Sequence, residues 1–579
     1  MHALRFTFLT FFMLMFSGSA IAEPLSPTAC DRVTFPPAPE MIGSKVEGSN
    51  SSRIDGFSTL ATIRDASGEV KFDNKTVYRW LRLIGPRGKE GKLGKVEFYA
   101  GDRLIAGEKK GVSYHLFVND VQDDQSVGYD LVDAAALRVA IKPDKMESDG
   151  PMDVTLSSTK GATIRFTTDG SWPTEQSTLY EKPIHIEKTT TLCAEAFLPE
   201  RAPSVLNTAT YLIKGSSKPG LSTAHIGNSL TGTTSGFYRY VRTAGIDHKA
   251  LYFRRGGALT RELWALASGT YVNDKKASLK ERDVRAKGSE VWDDYWAKID
   301  KVDMLTLQPR DFDLDKEVAA EISFIQRFRE KSPELQPWLY CEWVEQKRGR
   351  PSDRGEVPSY QMQKTFPALT WEESMGAMLL YVEELQHRLQ PQLRGGKPAR
   401  IIPSALAMGW MKNKIDRGQF GSAKTGDFYT LLFHDQVHPA DTVIHGTQNG
   451  AYLVNMTWFS AFYQEPPEGK VLPIETSFTP EQARIVERLA WDVIKNYPDC
   501  GLYEEGKEPC GKPEFANDGK IITLSSKTPG AWFRYTLDGT EPTRTRGYVY
   551  CGKISVQPGI RVKAVAYKSG MADSGISAP

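Results

Sequence analysis

Cysteine is scarce in this sequence, with six residues in a chain of 579, and that scarcity excludes a small disulfide-stapled scaffold. An excess of charge of one sign is also missing, because 73 basic and 71 acidic side chains leave a formal net charge of +2. No overall field therefore favours nucleic acid or an anionic membrane as a partner. Beyond the N-terminus no apolar run reaches about 18 residues, so the mature chain has no predicted membrane span.

Nucleotide and metal fingerprints are missing as well. The sequence contains neither a P-loop nor a G-x-G-x-x-G dinucleotide motif. His434 and His438 stand four residues apart, with His445 nearby, but Pro439 interrupts the helix that would align them on one metal ion. We therefore expect no metal and no cofactor.

What remains is the composition of a globular protein, with 40% apolar and 25% charged residues. At about 150 residues per domain, the length predicts three or four domains. The first 22 residues form a separate segment, in which Arg5 precedes an apolar stretch and the small-residue motif Ala20-Ile21-Ala22. This pattern predicts a secretory signal peptide cleaved after Ala22 and hence a secreted or periplasmic protein, with an uncleaved anchor as the alternative.

An internal repeat organises the chain. Residues 161–174 read GATIRFTTDGSWPT, and residues 530–543 read GAWFRYTLDGTEPT. Each copy is an alternating strand followed by an Asp-Gly turn, where glycine tolerates the positive φ that a hairpin requires. Farther on, TLCAEAF at 191–197 matches RVKAVAY at 561–567. Both copies resemble the C-terminal β-domain of chitobiases and β-hexosaminidases.

The repeat divides the rest of the chain. The two copies imply β-modules over 150–215 and 515–579. Deletion of residues 518–578, with the loop between Cys500 and Cys510 kept, is expected to leave the activity of the domain before them largely intact. Alternating residues upstream predict a β-sandwich over 40–147, which weakly resembles discoidin-like, galactose-binding modules. Between the copies, residues 219–498 alternate short apolar runs with helical periods, the pattern of a parallel sheet with helices on both faces. We therefore expect a multidomain chain with a central three-layer α/β domain, flavodoxin-like and mostly parallel, flanked by all-β sandwich modules.

Five strands are predicted in the α/β domain, at 222–227, 249–257, 302–309, 338–344 and 400–408. Catalytic groups of such sheets lie at the carboxyl ends of the strands. The first strand ends in Gly227-Asn228-Ser229-Leu230-Thr231, which places a serine between a strand and a helix N-terminus. Such a serine can serve as a nucleophile, or it can merely cap the helix.

A second block stands near the end of the same domain. Asp435 precedes His438 by three residues in the stretch DQVHP, so that one turn can present both side chains, with the carboxylate orienting the imidazole. A general base of this kind suits a serine elsewhere in the fold. Paired carboxylates for glycoside hydrolysis are an alternative and could come from Asp293, Asp294 or Glu342, although sequence cannot test their separation.

Together, GNSLT and DQVHP resemble the nucleophile block and the D-x-x-H-P block of the SGNH (GDSL-like) hydrolases. The resemblance covers about 219–465. It implies Ser229 as the nucleophile, His438 as the base and Asp435 as the group that orients the base.

The same resemblance implies an oxyanion hole of three donors. The first is the backbone N–H of Ser229, and the second is a glycine N–H after the second strand, with Gly257 as the first choice and Gly256 as the second. The third block of the family carries an asparagine, which is replaced here by Gln308, an amide one methylene longer.

The predicted function is an exported serine esterase that hydrolyses an ester, an O-acetyl group above all, on a polysaccharide or other glycan. The alternatives are a non-catalytic carbohydrate-binding protein and an O-acyltransferase that uses the same triad. Export permits disulfides, and Cys500 and Cys510 could close a polar loop, with Cys551 as a competing partner.

Overall fold

The computed structural model has a parallel sheet in the middle of the chain and mainly antiparallel strand pairs on either side of it, with parallel pairs between Glu147–Ser148 and Asn207–Ile213 and between Glu505–Pro509 and Met571–Ala572. The structure describes residues 29–50, 57–85, 95–107, 112–114, 117–118, 121–122, 126–130, 137–198, 204, 206–270, 292–347, 370–423, 425, 427–433, 442–474 and 476–579. The predicted signal peptide, Asp435 and His438 lie outside these residues. In the described part of the chain, no helix combines the length and apolar character needed to cross a bilayer.

The first region is built of antiparallel strands. They are β1 (Arg32–Thr34), β2 (Lys45–Ser49), β3 (Ser58–Thr62), β4 (Glu69–Lys71), β5 (Trp80–Ile84), β6 (Glu97–Ala100), β7 (Arg103–Ala106), β8 (Val112–Tyr114), β9 (Phe117–Val118), β10 (Val121–Gln122) and β11 (Ser126–Asp130). Two sheets, in the orders β4-β1-β6-β7 and β3-β2-β5-β11-β8, enclose a core that includes Val33, Leu83 and Phe98.

The second region carries the first copy of the repeat. Its strands are β12 (Ala140–Lys142), β13 (Glu147–Ser148), β14 (Met152–Ser157), β15 (Thr163–Thr167), β16 (Thr178–Leu179), β17 (Ile184–Ile186), β18 (Thr190–Phe197) and β19 (Asn207–Ile213). They form a three-stranded sheet, β12-β14-β17, and a five-stranded sheet, β13-β19-β18-β15-β16.

The central region alternates strands and helices. Its strands are β20 (Lys218–Gly227), β21 (Ile246–Arg254), β22 (Met304–Leu307), β23 (Gln336–Cys341), β24 (Gln346–Lys347), β25 (Arg400–Pro403) and β26 (Thr442–Val443). Its helices are α1 (Ser229–Gly232), α2 (Phe237–Thr243), α3 (Thr260–Ala267), α4 (Trp292–Lys298), α5 (Leu314–Arg329), α6 (Trp371–Leu389), α7 (Ser404–Asp416), α8 (Asp427–Leu432), α9 (Gln448–Tyr463) and α10 (Pro480–Asn496).

The central sheet has the strand order β21-β20-β22-β23-β25, and every neighbouring pair is parallel. In chain order this is 2-1-3-4-5, the order of doubly wound sheets whose ligands bind where the winding reverses, outside the ends of the first and third strands. Here that point lies between β20 and β22. The residues that follow Gly227 and Leu307 therefore lie where sheets of this order bind their ligands.

One predicted strand of this sheet was too long. The apolar run at 400–408 divides at Ser404, where β25 ends and α7 begins. A short apolar run fits a buried strand and a buried helix equally well, and the first six residues of α7, Ser404–Gly409, are all buried.

The last region carries the second copy of the repeat. Its strands are β27 (Glu505–Pro509), β28 (Glu514–Asn517), β29 (Ile521–Ser525), β30 (Trp532–Thr536), β31 (Tyr548–Val549), β32 (Ile554–Ser555), β33 (Lys563–Tyr567) and β34 (Met571–Ala572). The sheets β28-β29-β32 and β31-β30-β33 form a second small sandwich. The predicted multidomain architecture with β-sandwich modules is therefore confirmed.

The two copies share details of their turns. The Asp169 carboxylate accepts from the backbone N–H of Ser171 at 3.0 Å, and the Asp538 carboxylate accepts from that of Thr540 at 2.9 Å. The intervening glycines both have positive φ, 82° at Gly170 and 83° at Gly539. Because the same contacts recur at matched positions, the sequence repeat is also a structural repeat.

The two copies differ in their contacts with the rest of the protein. Arg534 of β30 is fully buried and donates to the Glu383 carboxylate of α6 through both terminal nitrogens, at 2.6 and 2.8 Å. Arg165, at the matched position of β15, donates instead to the backbone oxygen of Ser177 at 3.1 Å and remains partly exposed. The second module is therefore joined to the α/β domain by an ion pair that has no equivalent at Arg165.

Apolar contacts extend the same interface. Trp532, Val549 and Tyr567 belong to the core of the α/β domain, and the ring of Trp532 lies 4.9 Å from that of Trp410 in α7. Removal of residues 518–578, which the sequence predicts to leave the preceding domain intact, would expose the α6 and α7 surfaces that these side chains cover.

The suggested Cys500–Cys510 disulfide is not formed. Both thiols are free and buried: Cys500 donates to the Ile401 carbonyl at 3.2 Å within the α/β core, whereas the Cys510 sulfur lies 3.8 Å from that of Met571 in the second module. The two side chains are therefore enclosed in different cores.

We predict that Arg534→Ala destabilises the protein by about 3–5 kcal/mol, because it leaves the Glu383 carboxylate buried without its cation. Arg165→Ala, the matched control in the other copy, should cost less than about 1 kcal/mol. Urea unfolding followed by fluorescence measures both. Equal losses for the two variants would contradict the assignment of Arg534 as the anchor.

Candidate functional site

The loop between β20 and α1 forms the centre of the candidate site. Asn228 caps α1, with its side-chain oxygen accepting from the backbone N–H of Leu230 at 2.9 Å, so Ser229 is the first residue of the helix. The serine therefore does not serve as the helix cap, which removes the structural alternative left open by the sequence.

An imidazole lies beside this serine. Nε2 of His445 is 3.2 Å from the hydroxyl oxygen of Ser229, within hydrogen-bond reach, and His445 is partly buried. A serine and a histidine in this geometry can form a nucleophile and a general base. From the sequence, His445 is a candidate only for a metal site, because it has no carboxylate three residues before it and 216 positions separate it from Ser229.

Two backbone N–H groups, those of Ser229 and Gly257, have no acceptor in the described part of the chain. The turn that carries Gly257 is fixed by hydrogen bonds from Arg255 to the Gly227 carbonyl at 3.0 Å and from Ala258 to the Arg255 carbonyl at 3.3 Å. Gly257 has a φ of 70°, a conformation that a residue with a Cβ adopts only at a cost. The φ of Gly256 is not positive.

Gln308 lies where the sequence places it, directly after β22 and against the nucleophile loop. Its carbonyl oxygen accepts from the backbone N–H of Asn228 at 3.0 Å and from the backbone N–H and hydroxyl of Thr231 at 3.1 and 2.5 Å. Its amide nitrogen donates to the Asn228 side-chain oxygen at 2.7 Å and to the carboxylate of Glu342. The two amide hydrogens thus have protein acceptors.

Glu342 follows β23 and is buried, with 2% of its surface exposed. It pairs with Arg310, whose guanidinium lies 2.5 Å from the carboxylate. Burial raises the pKa of the Glu342 carboxyl, while the charge of Arg310 and hydrogen bonds from Arg310 and Gln308 act in the opposite direction. Glu342 thus lies in this network, and the structure gives no reason to pair it with Asp293 or Asp294.

His225, three residues before Asn228, is a core residue. It is fully buried, and its two ring nitrogens lie 2.7 Å from the hydroxyls of Thr223 and Thr306. Burial holds the pKa of His225 well below its usual value, so the ring stays neutral. Among the described residues, no group of three or more His, Cys, Asp and Glu side chains is arranged to hold a metal ion.

The site residues therefore divide into two groups. Ser229, Gly257 and Gln308 are brought to the carboxyl ends of β20, β21 and β22, around the point where the winding of the sheet reverses. Asp435 and His438 lie outside the described residues, so their predicted place beside Ser229 stays a prediction.

Comparison with known families recognises the two copies of the repeat. Residues 144–208 match the chitobiase/β-hexosaminidase C-terminal domain. The resemblance stated for the first copy is thus confirmed. The second copy matches a different family, Fn3 associated, over residues 522–579. No curated protein matches the chain.

Solved structures give only distant likenesses. A family 2 carbohydrate esterase with a carbohydrate-binding domain from Corynascus thermopiles is 10% identical, covering 50% of this chain and 83% of its own, with a TM-score of 0.20. A family two carbohydrate esterase from Clostridium thermocellum, in complex with cellohexaose, is 10% identical over 50% and 81%, also at 0.20. An acetyl xylan esterase from Butyrivibrio proteoclasticus is 9% identical over 47% and 88%, at 0.19. Likenesses at this level carry no inference about fold or function.

The close fit of Gly227 generates a prediction. A Cβ at this position would lie 2.5 Å from the Gln308 side-chain oxygen and closer still to the Thr231 hydroxyl. Gly227→Ala should therefore displace the nucleophile loop, lower stability by about 1–3 kcal/mol and slow the reaction of Ser229 with a fluorophosphonate probe.

The control is Gly150→Ala, because a Cβ on Gly150 meets no atom within 4 Å. Unfolding curves and labelling rates of the two variants are compared with those of the unaltered protein. A Gly227→Ala protein that is as stable and as rapidly labelled as Gly150→Ala would contradict the tight packing of this loop.

Proposed function

We propose that the protein is a serine esterase of SGNH type that removes acyl groups, O-acetyl groups above all, from a glycan. The observation that carries the proposal is the position of Ser229, directly after the carboxyl end of β20 and at the point where the winding of the central sheet reverses. The backbone N–H groups of Ser229 and Gly257 add the donors that a tetrahedral oxyanion needs.

The reaction begins when a histidine takes the hydroxyl proton of Ser229 and the serine oxygen attacks the ester carbonyl. The backbone N–H groups of Ser229 and Gly257 stabilise the oxyanion. Collapse of the tetrahedral intermediate breaks the bond to the sugar oxygen, which takes the proton from the imidazolium and leaves as a hydroxyl, so that an acyl-serine remains. Water, deprotonated by the same histidine, then releases the carboxylic acid and restores Ser229.

Two histidines compete for the role of base. His438 is proposed as the base and Asp435 as the carboxylate that orients it, because the D-x-x-H-P pattern supplies both groups within one turn. His445 is the second candidate, favoured by its position 3.2 Å from the serine hydroxyl. Either assignment leaves Ser229 as the nucleophile.

The glycan context rests on the first β-module. The family that residues 144–208 match is named after chitobiases and β-hexosaminidases, which act on carbohydrates. An ester carried by a carbohydrate is therefore the proposed substrate class, and this step is an association with a module rather than a deduction from the site.

Ser229→Ala should abolish fluorophosphonate labelling and lower kcat/KM for a small acetyl ester by about 10⁴-fold or more, because the nucleophile and base act as one unit. Ser235→Ala is the matched control, since Ser235 is exposed and lies in the same loop region. Acetate release from acetylated polysaccharides identifies the substrate. If the unaltered protein is neither labelled nor active, the non-catalytic binding alternative replaces the proposal; acetyl transfer to an added sugar would instead indicate an acyltransferase.

His438→Ala is expected to lose nearly all turnover, and Asp435→Ala should lose less, because an unoriented imidazole still accepts a proton. His445→Ala should retain most of the activity if His438 is the base. Single-turnover acylation rates over a range of pH separate the three variants. An inactive His445→Ala beside an active His438→Ala would transfer the role of base to His445.

A further inference from the structure

The side chain of Gln308 ties the nucleophile loop to the neighbouring strand. Its oxygen accepts three hydrogen bonds from the loop, two from backbone N–H groups of Asn228 and Thr231 and one from the Thr231 hydroxyl. Ser229 stands between these attachment points. The position of its hydroxyl therefore depends on which way the Gln308 amide faces.

An amide can turn over, exchanging its oxygen and nitrogen, unless its partners forbid the exchange. The Glu342 carboxylate provides this restriction, because an ionised carboxylate only accepts hydrogen bonds and so requires the Gln308 nitrogen. The Asn228 side-chain oxygen, already bonded to the Leu230 N–H, takes the other amide hydrogen. With both hydrogens directed at acceptors, the oxygen must face the loop.

Glu342 is held in its own place by charge. It is 2% exposed, and a buried carboxylate is strongly destabilising without a cation. Arg310, two residues after Gln308, supplies that cation at 2.5 Å. The ends of β22 and β23 are thereby linked through a chain of contacts that runs from Arg310 through Glu342 and Gln308 to the serine loop.

We propose that Glu342, held by Arg310, is a positioning residue that acts through Gln308 to fix the loop bearing Ser229. The inference rests on the proposed function only in giving Ser229 a catalytic task. In this arrangement the side-chain oxygen of Gln308 holds the loop in place, and the oxyanion is stabilised by the backbone N–H groups of Ser229 and Gly257. This role differs from the donor role that the sequence predicts for Gln308.

The test is a double-mutant cycle. A misplacement of about 1 Å costs about 10²-fold in rate, so Glu342→Ala and Gln308→Ala should each lower kcat by about that factor with KM little changed. If Glu342 acts through Gln308, the double variant should be no slower than Gln308→Ala alone, because neighbours in one network do not add. Independent, multiplied losses would overturn the proposal.

A conservative variant separates positioning from folding. Glu342→Gln keeps an oxygen that can accept from the Gln308 nitrogen and should recover most of the lost kcat, whereas Glu342→Leu should not. Glu487→Ala is the matched control: Glu487 is another buried carboxyl of this domain, bound by the Tyr452 hydroxyl on α9. It should lower the unfolding midpoint while leaving kcat of the folded protein unchanged.

Hydrogen exchange gives a readout that needs no activity. The Thr231 amide hydrogen should exchange faster in Glu342→Ala and in Gln308→Ala, and at the wild-type rate in Glu487→Ala. If the unaltered protein proves to have no esterase activity, the proposed function fails while this exchange pattern still tests the brace. If Ser229→Ala is inactive but Glu342→Ala has wild-type kcat and exchange, the positioning role fails and the esterase stands.

Discussion

The three hydrogen bonds that the Gln308 oxygen accepts from the β20–α1 loop hold the candidate site together. They join the strand ends on the two sides of the point where the winding of the sheet reverses, so the parallel topology and the local site chemistry depend on one another. The same packing explains why position 227 is glycine: a side chain there would occupy the space of the Gln308 oxygen and the Thr231 hydroxyl.

The two copies of the repeat illustrate how one module can take different roles. Their turn hydrogen bonds match, and in each copy a strand N–H donates to a serine hydroxyl oxygen, from Ala196 to Ser204 and from Ala566 to Ser574. The burial of their matched strands has diverged, since β30 is buried throughout whereas β15 is mostly half-buried. The second copy is thus part of the α/β domain's structural support, which its sequence similarity to the first copy conceals.

Much of the architecture can be predicted from local patterns in the sequence. The Asp-Gly turns, the alternating strands and the helical periods such as that of Pro480–Asn496 report short-range preferences, and these elements form where they were predicted. The second half of the apolar run at 400–408 forms the start of α7 instead of the predicted strand. Because this stretch is buried on all sides, it lacks the polar residues whose spacing would distinguish a helix from a strand.

The sequence by itself determined the repeat, the alternation of strands and helices, and the placing of Ser229 and Gln308 at strand ends, because these depend on neighbours along the chain. Only the tertiary structure decided that His445 approaches Ser229 from 216 positions away, that Arg534 buries its charge against Glu383, and that Cys500 and Cys510 stay apart. Such contacts depend on which surfaces meet when the layers pack, and a buried charge or amide then takes whichever partner the packing brings within reach.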